Sequence, residues 1–191
     1  IDAEAVRRAA NDLLPADIHI RSLVRAPDRF HARHDAVSRS YVYQISRRRS
    51  ALAKRSVWWV KRPLDLAAMG RAAAVLPGPH DFHLFCERPD EQTSTKVVVE
   101  RVDLAEEGAL ILIRLVASHF LWKMVRRVVG ALVEVGSGGL TVQEFEELVA
   151  GEGSIATAEW TAPPSGLFLE AVLYEGDEPL GPLVSIVPVP E

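Results

Sequence analysis

The sequence predicts an α+β fold, with a mainly antiparallel mixed sheet packed with helices. Strand patterns and helix patterns both occur, but they do not alternate strictly as in a parallel α/β protein. Apolar residues make up 48% of the 191 residues, which is enough to bury a sizeable core. We expect one domain over residues 1–176, followed by a Pro-rich extended tail at residues 177–191.

The first part of the chain shows short periodic segments separated by breakers. Helices are predicted over residues 2–14 and 63–76, and strands over residues 18–24, 37–46 and 57–60. The longest of these strands alternates regularly, so Arg39, Tyr41 and Tyr43 should share one face of the sheet. Pro15 ends the first helical pattern.

The second part contains the strongest helical pattern. Strands are predicted over residues 96–104, 109–117 and 167–174, and helices over residues 120–135 and from Thr141 onward. Glu106-Glu107-Gly108 should form the turn of a hairpin. Thr141 and Glu144 have the spacing of a capping box, so we expect a helix to begin there.

The charge is distributed unevenly, although its net value is only −4. Between Arg21 and Arg62 there are 12 Lys or Arg residues and two acids, whereas beyond Arg127 there are 11 acids and no Lys or Arg. This split indicates either a face that meets a polyanion or a solvated basic face without a partner. Charge alone does not favour one of these interpretations.

Two residues of the predicted elements could carry chemistry. On a helix over residues 120–135, Arg126 would share its side with Trp122, Val129 and Val133, and a guanidinium buried there needs an anion. From the pattern alone, an Arg that reaches water or pairs with a structural acid is favoured. Tyr41 lies beside basic residues, as a base-stacking aromatic would, although strand aromatics more often pack in a core.

His80, His83 and Cys86 have metal-like spacing, but no second ligand cluster completes a tetrahedral site, so we expect no metal. A single cysteine cannot form an internal disulfide, which is typical of a reducing compartment. No apolar run reaches the roughly 18 residues of a membrane helix. We therefore expect a cytoplasmic protein without a membrane partner.

Several motifs occur in a fixed order between residues 1 and 175. They are Leu14-Pro15-Ala16-Asp17-Ile18, Phe30-His31-Ala32-Arg33, Ser38-Arg39-Ser40-Tyr41-Val42-Tyr43, His80-Asp81-Phe82, Ser94-Thr95, Phe120-Leu121-Trp122-Lys123-Met124-Val125-Arg126-Arg127-Val128-Val129-Gly130 and Thr161-Ala162-Pro163-Pro164-Ser165-Gly166-Leu167-Phe168-Leu169. The ordered set resembles the TruA-type tRNA pseudouridine synthases. The long motif is similar to the family's Phe-Leu-x-x-Met-Val-Arg-x-x-Val-Gly, which is its most specific pattern.

The resemblance implies a fold, a reaction and partners. The chain would be the C-terminal lobe of an enzyme that isomerises uridine to pseudouridine, without a cofactor, in the anticodon arm of tRNA at nucleotides 38 to 40. The implied partners are tRNA and, as a homodimer, a second copy of the protein.

The resemblance also implies roles for particular residues. Tyr41 matches the active-site Tyr that stacks on the target base, and Arg126 matches the Arg that pairs with the catalytic Asp, which reverses the interpretation from pattern alone. The expected substrate-binding residues are Arg33, Arg39, Phe120, Lys123, Arg127, Gly166, Leu167 and Leu169. For contacts with the RNA backbone we expect Arg47, Arg48 and Arg49, because they are consecutive cations in the basic stretch.

The chain departs from the family pattern in the nucleophile. The family's Arg-Thr-Asp-Ala-Gly motif does not occur here, and the chain opens with Ile1 inside a helical pattern, so we expect the catalytic Asp in an upstream lobe and an inactive isolated chain. We do not assign the role of nucleophile to Asp35, because nothing in the sequence places it against Arg126. Lys96-Val97 stands where many relatives have Arg-Thr, which weakens the case for an RNA contact there. The alternative functions are an RNA-binding module without activity and, more weakly, a metal enzyme.

Overall fold

The structure is a computed structural model that describes residues 2–87, 94–153 and 155–189. The chain divides into two compact units, Ile1–Asp35 and Ala36–Glu191. Each unit is described by itself. No helix in the described ranges is both long and apolar enough to cross a membrane.

The first unit consists of one helix and a segment of turns and irregular structure. Helix α1 spans Ala3–Leu13, and the carboxylate of Asp2 caps it by accepting from two backbone N–H groups. The prediction of a strand over residues 18–24 is wrong. The side-chain amide of Asn11 bonds both the N–H (2.8 Å) and the carbonyl (2.9 Å) of Ile20. These backbone groups of Ile20 therefore pair with a side chain of α1 and not with a neighbouring strand.

The second unit is built on a six-stranded sheet. The strands are β1 (Ala36–Ser46), β2 (Trp58–Trp59), β3 (Gly78–Asp81), β4 (Lys96–Glu107), β5 (Leu110–Ala117) and β6 (Leu167–Tyr174). Their order is β2-β1-β5-β4-β3, and β6 also pairs with β1. All pairings are antiparallel except β1 with β2. The predicted α+β fold with a mainly antiparallel mixed sheet is confirmed.

Helices cover one face of this sheet. They are α2 (Leu66–Ala73), α3 (Met124–Gly136) and α4 (Val142–Val149). The main core joins Tyr43 and Ile45 of β1 to buried residues of all three helices, such as Val128 of α3 and Phe145 of α4. The capping box predicted at Thr141 is present, with both of its reciprocal hydrogen bonds. This face carries the site described below.

The C-terminal tail covers part of the other face. The side chain of Gln44 on β1 accepts from the N–H groups of Ile186 and Val187, and Arg114 of β5 donates to the carbonyls of Gly181 and Pro182. Arg114 is fully buried and pairs with Glu170 of β6 at 2.5 Å. These contacts fix the tail residues on the sheet, while the domain boundary at residue 176 stays a prediction.

Two further element boundaries differ from the expectation. Helix α3 begins at Met124, not at residue 120, because Lys123 has a φ of 64° and therefore lies outside right-handed helical geometry. Strand β3 falls where Pro77-Gly78-Pro79 predicted only the end of a helix. It pairs with β4 between Gly78 and Asp81.

Candidate active site

A cavity of about 310 Å³ opens on the helix-covered side of β1. Its walls come from the middle of β1, the segment that leads into α3, the first turn of α3 and the loop before β6. The lining residues are Tyr41, Phe120, Leu121, Trp122, Lys123, Met124, Val125, Arg126, Pro164 and Leu167. The structure thus brings together five of the residues predicted for the site: Tyr41, Phe120, Lys123, Arg126 and Leu167.

Tyr41 forms one wall of this cavity. It lies on β1 between Leu115 of β5 and Leu169 of β6, so strands on both sides fix its backbone. Its ring meets the ring of Phe120 edge to face, with centroids 5.0 Å apart and planes at 82°. The half-buried ring is therefore held in place by packing while it still lines the cavity.

Arg126 lies in the first turn of α3 and is anchored to the loop before β6. Its Nε donates to the carbonyl of Ala162 at 2.5 Å, and its own carbonyl accepts from the N–H of Ala162 at 3.0 Å. Across the described ranges, the Arg126 guanidinium forms no ion pair with a carboxylate. A half-buried cation anchored only through a neutral carbonyl can accept an anion in the cavity.

The surroundings predicted for Arg126 are only partly correct. Val129 and Val133 are fully buried on α3, as expected of an apolar side of the helix. Trp122 precedes the helix and is 74% exposed, so it does not share that side. The left-handed backbone of Lys123 separates Trp122 from the helical register.

Tyr43 shapes the site, although the sequence analysis assigned it no role beyond sharing a strand face with Tyr41. Its hydroxyl donates to the carbonyl of Pro163 at 2.7 Å and approaches that of Ser165 at 3.2 Å. Burial raises the pKa of the Tyr43 hydroxyl well above its ordinary value, while the nearby Arg126 charge lowers it in part. A protonated Tyr43 therefore holds the loop that carries Pro164. The one signal in the sequence was its alternation with Tyr41 on the same strand face.

Gly166 has a structural reason to be glycine. Its φ is 103°, and a Cβ there would lie 2.7 Å from the carbonyl oxygen of Gln44. Its own carbonyl accepts from the N–H of Gln44 at 2.8 Å, which seats the loop against β1. Leu167 then lines the cavity, whereas Leu169 is 54% exposed and is not part of the lining.

The remaining cations of the α3 motif are bound to the segment around residue 86. Arg127 donates from Nη1 to the carbonyl of Cys86, and its Nε is buried without a partner in the described ranges. Lys123 forms an ion pair with Glu87 at 2.7 Å. Arg127 does not line the cavity, so its role in substrate binding stays a prediction.

The other predicted RNA contacts in the second unit are not among the residues that line the cavity. Arg39 donates to the carbonyls of Ala36 and Ser118, while Arg33 lies in the first unit and is exposed. After β1, Arg47 pairs with Glu106 at 2.7 Å, and Arg49 lies over the ring of Trp59 at 5.5 Å. Arg48 is also exposed. The roles of these five residues stay predictions.

The metal-like sequence around His80 shows ordinary packing. His83 Nδ1 lies 3.4 Å from Asp81, and the Cys86 thiol donates to the His83 carbonyl at 3.5 Å. Burial raises the pKa of that thiol. Within residues 2–87, 94–153 and 155–189, no three His, Cys, Asp or Glu side chains cluster as metal ligands would.

The sequence pattern of the family described as tRNA pseudouridine synthase matches residues 72–175, more than half of the chain. The chain belongs to this family. The protein named tRNA pseudouridine synthase A from Mesorhizobium japonicum is 40% identical over 176 residues, which cover 90% of this chain and 71% of the relative. The protein of the same name from Thermotoga maritima is 35% identical over 173 residues, covering 90% and 70%. The family match includes α3 and the loop before β6, but Tyr41 lies before it and is covered only by the longer matches to relatives.

Proposed function

We propose that this chain supplies the uridine pocket and part of the tRNA-binding surface of a tRNA pseudouridine synthase. The observation that carries the proposal is the cavity in which Tyr41 and Arg126 meet, in a chain of this family. The names of its relatives support tRNA as the RNA that is modified. The anticodon arm is the proposed target, on the resemblance to the TruA type.

The reaction moves the uracil on its sugar without adding or removing atoms overall. The bond from N1 of uracil to the sugar breaks, the ring turns, and a bond from C5 to the same sugar carbon forms. C5 loses one proton and N1 gains one. The chain must therefore retain a uracil that is briefly free to turn. The Tyr41 ring, which Phe120 holds in place, can retain the uracil by stacking on it. The Tyr41 hydroxyl is the candidate group for removing the C5 proton.

Arg126 acts on the nucleophile in this proposal. A catalytic carboxylate from the other lobe of the enzyme would meet a guanidinium whose Nε is already held by Ala162. A positive charge within a few ångströms lowers the pKa of a carboxyl, so the Asp stays ionised and nucleophilic. The planar fork of Arg also fixes the direction of the carboxylate through two hydrogen bonds.

The proposal extends to partners and location. The basic stretch between Arg21 and Arg62 supplies contacts to phosphates, with Arg47, Arg48 and Arg49 as its densest part. We place the protein in the cytoplasm, where tRNA is available and a lone cysteine is compatible with reducing conditions. A homodimer and the absence of a cofactor follow from the same resemblance.

A tritium-release assay tests the proposal, because the reaction expels the proton on C5. The isolated chain should bind tRNA but release no tritium from tRNA labelled at C5 of its uracils. A chimera, in which this chain replaces the matched 176 residues of the Mesorhizobium relative, should release it. Release by the isolated chain would show that it holds its own nucleophile, with Asp35 the first candidate.

Binding of tRNA by the chimera without any release would favour the alternative function, an RNA-binding module that does not isomerise uridine. The parent relative, assayed beside it, shows that the labelled tRNA is a substrate. A chimera that restores release would support the enzyme and exclude the simple binding module.

A further inference from the structure

Trp122 has the most exposed aromatic ring among the described large hydrophobic side chains. It is 74% exposed, whereas Trp59 and Phe30 are each 40% exposed. Single exposed apolar residues are common on protein surfaces, so exposure alone assigns no function. The position of Trp122 is more informative, because it lines the cavity that holds Tyr41 and Arg126.

The ring is mounted on a fixed turn. The N–H of Glu87 donates to the carbonyl of Trp122 at 3.1 Å, and the N–H of Met124 donates to that of Leu121 at 3.1 Å. Between them, Lys123 has the left-handed φ of 64°, which is uncommon for a residue with a side chain and is often found at functional sites. The backbone on both sides of the indole is therefore held before any ligand arrives.

Glu87 also acts on the two side chains of this turn. Its carboxylate lies 2.7 Å from the Lys123 ammonium, and this hydrogen bond is the main cause that lowers the pKa of the Glu87 carboxyl. The nearby Trp122 indole lowers that pKa further. Because Trp122 is 74% exposed, the flat face of its indole is available to a ligand.

The chemistry around this face fits single-stranded RNA. Lys123 and Arg126 line the same cavity as the indole, and aromatic rings combined with cations are how proteins hold unpaired nucleotides. Because the family pattern leaves the position of Trp122 open, the resemblance assigns it no role.

We propose that Trp122 is a stacking platform for the unpaired RNA base next to the target uridine. The inference rests on the proposed function, since it takes the Tyr41 wall as the place of the target base. Trp122 at the cavity rim then stacks on a neighbouring base. Together the Tyr41 and Trp122 rings keep both bases out of the base-paired RNA stem.

Binding of tRNA to the 191-residue chain tests this platform through three variants. Trp122→Ala and Trp122→Leu should weaken tRNA affinity about tenfold, toward the low end of the range for one stacked base, whereas Trp122→Phe should bind within about twofold of the parent. Leu keeps apolar bulk but lacks a flat π-face, so the contrast between Leu and Phe isolates stacking. The melting temperatures should not change, since the side chain is mostly in water.

The salt dependence supplies an independent readout. Stacking releases no counterions, so the slope of log affinity against log salt should stay the same in all three variants. Val184→Ala serves as a control, because Val184 is 57% exposed and lies outside both the basic stretch and the cavity lining. It should leave affinity unchanged.

The outcomes distinguish a failure of the Trp122 stacking platform from a failure of the proposed function. Equal affinity of the parent and Trp122→Ala would overturn the platform and leave the proposed function standing. Full binding by Trp122→Leu would overturn stacking in favour of a plain apolar contact. A parent chain that does not bind tRNA would overturn the proposed function itself, and the platform with it.

Discussion

Tyr41 and Tyr43 point to the same side of β1 but meet different surroundings. The Tyr41 ring is half-buried and lines the cavity, where it packs on Phe120. Tyr43 is fully buried and its hydroxyl bonds the carbonyl of Pro163. A single residue, Val42, therefore separates a ring that lines the cavity from one that holds the loop before β6.

Removing each hydroxyl should change the free energy of unfolding by different amounts. Tyr43→Phe leaves the Pro163 carbonyl without its donor, so we expect a loss of about 1–2 kcal/mol in the free energy of unfolding. Tyr41→Phe, the matched control, should change it by less than about 0.5 kcal/mol, since its hydroxyl forms no hydrogen bond in the described part of the chain. Urea unfolding measures both values. In the chimera, Tyr41→Phe should slow tritium release if its hydroxyl takes the C5 proton, and equal stability losses would contradict the distinction.

Arg126 is the residue whose interpretation depends most on what surrounds it. Its neighbours on α3 suggested a buried charge in need of an anion, and the structure shows a half-buried guanidinium anchored to Ala162. The predicted partner is a carboxylate that this chain does not provide in its described part. Its contribution to stability should therefore differ between the isolated chain and the chimera.

Two substitutions at Arg126 measure this difference. Arg126→Met should lower the free energy of unfolding of the chimera by about 3–5 kcal/mol, because it leaves a buried carboxylate without its partner. In the isolated chain it should cost about 1 kcal/mol, for the bond to Ala162 alone. Arg126→Lys should abolish most tritium release by the chimera while tRNA binding stays nearly unchanged, because Lys keeps the charge but loses the fork. Equal destabilisation by Arg126→Met in both proteins would place its partner inside this chain and end the catalytic assignment.

At the scale of elements, the sequence predicted those that local signals specify. The capping box at Thr141 and the alternation of β1 were read correctly because each is a short-range pattern. The strand expected over residues 18–24 is absent, since Asn11 binds Ile20 through a contact that no periodicity encodes. The start of α3 was placed too early because the left-handed Lys123 has no signature in residue type.

A close approach between elements explains the glycine inside α3. A Cβ on Gly130 would overlap the carbonyl oxygen of Trp160, whereas a Cβ on Gly70 in α2 would meet nothing within 4 Å. Gly130→Ala should therefore destabilise the chain by about 3 kcal/mol or more through overpacking against backbone. Gly70→Ala, the control in another helix, should stabilise it by about 0.5–1 kcal/mol. Thermal unfolding compares the two, and a harmless Gly130→Ala would show that the contact with Trp160 is not close.

Across the whole molecule, the cavity was foreseeable from ordered motifs but the opposite face of the sheet was not. Ser40, Gln44 and Arg114 are polar, yet all three are buried. The Arg114–Glu170 pair and the tail bring together residues 56 positions and more apart in sequence. Charges that pair over such separations leave no trace in local spacing, so the sequence predicted a tail without predicting where it packs.

The basic stretch between Arg21 and Arg62 should determine how strongly tRNA affinity depends on salt. Replacing Arg47, Arg48 and Arg49 together with Gln should flatten the dependence of log tRNA affinity on log salt, because fewer counterions are released. Arg47 already pairs with Glu106, so we expect a decrease of about two in the slope instead of three. The ratio of affinities for tRNA and an unrelated RNA should not change, since phosphate contacts read no sequence. Arg101→Gln is the control, because Arg101 pairs with Asp103 outside the basic stretch and should leave the slope unaltered. An unchanged slope in the triple variant would mean that this loop faces away from the RNA.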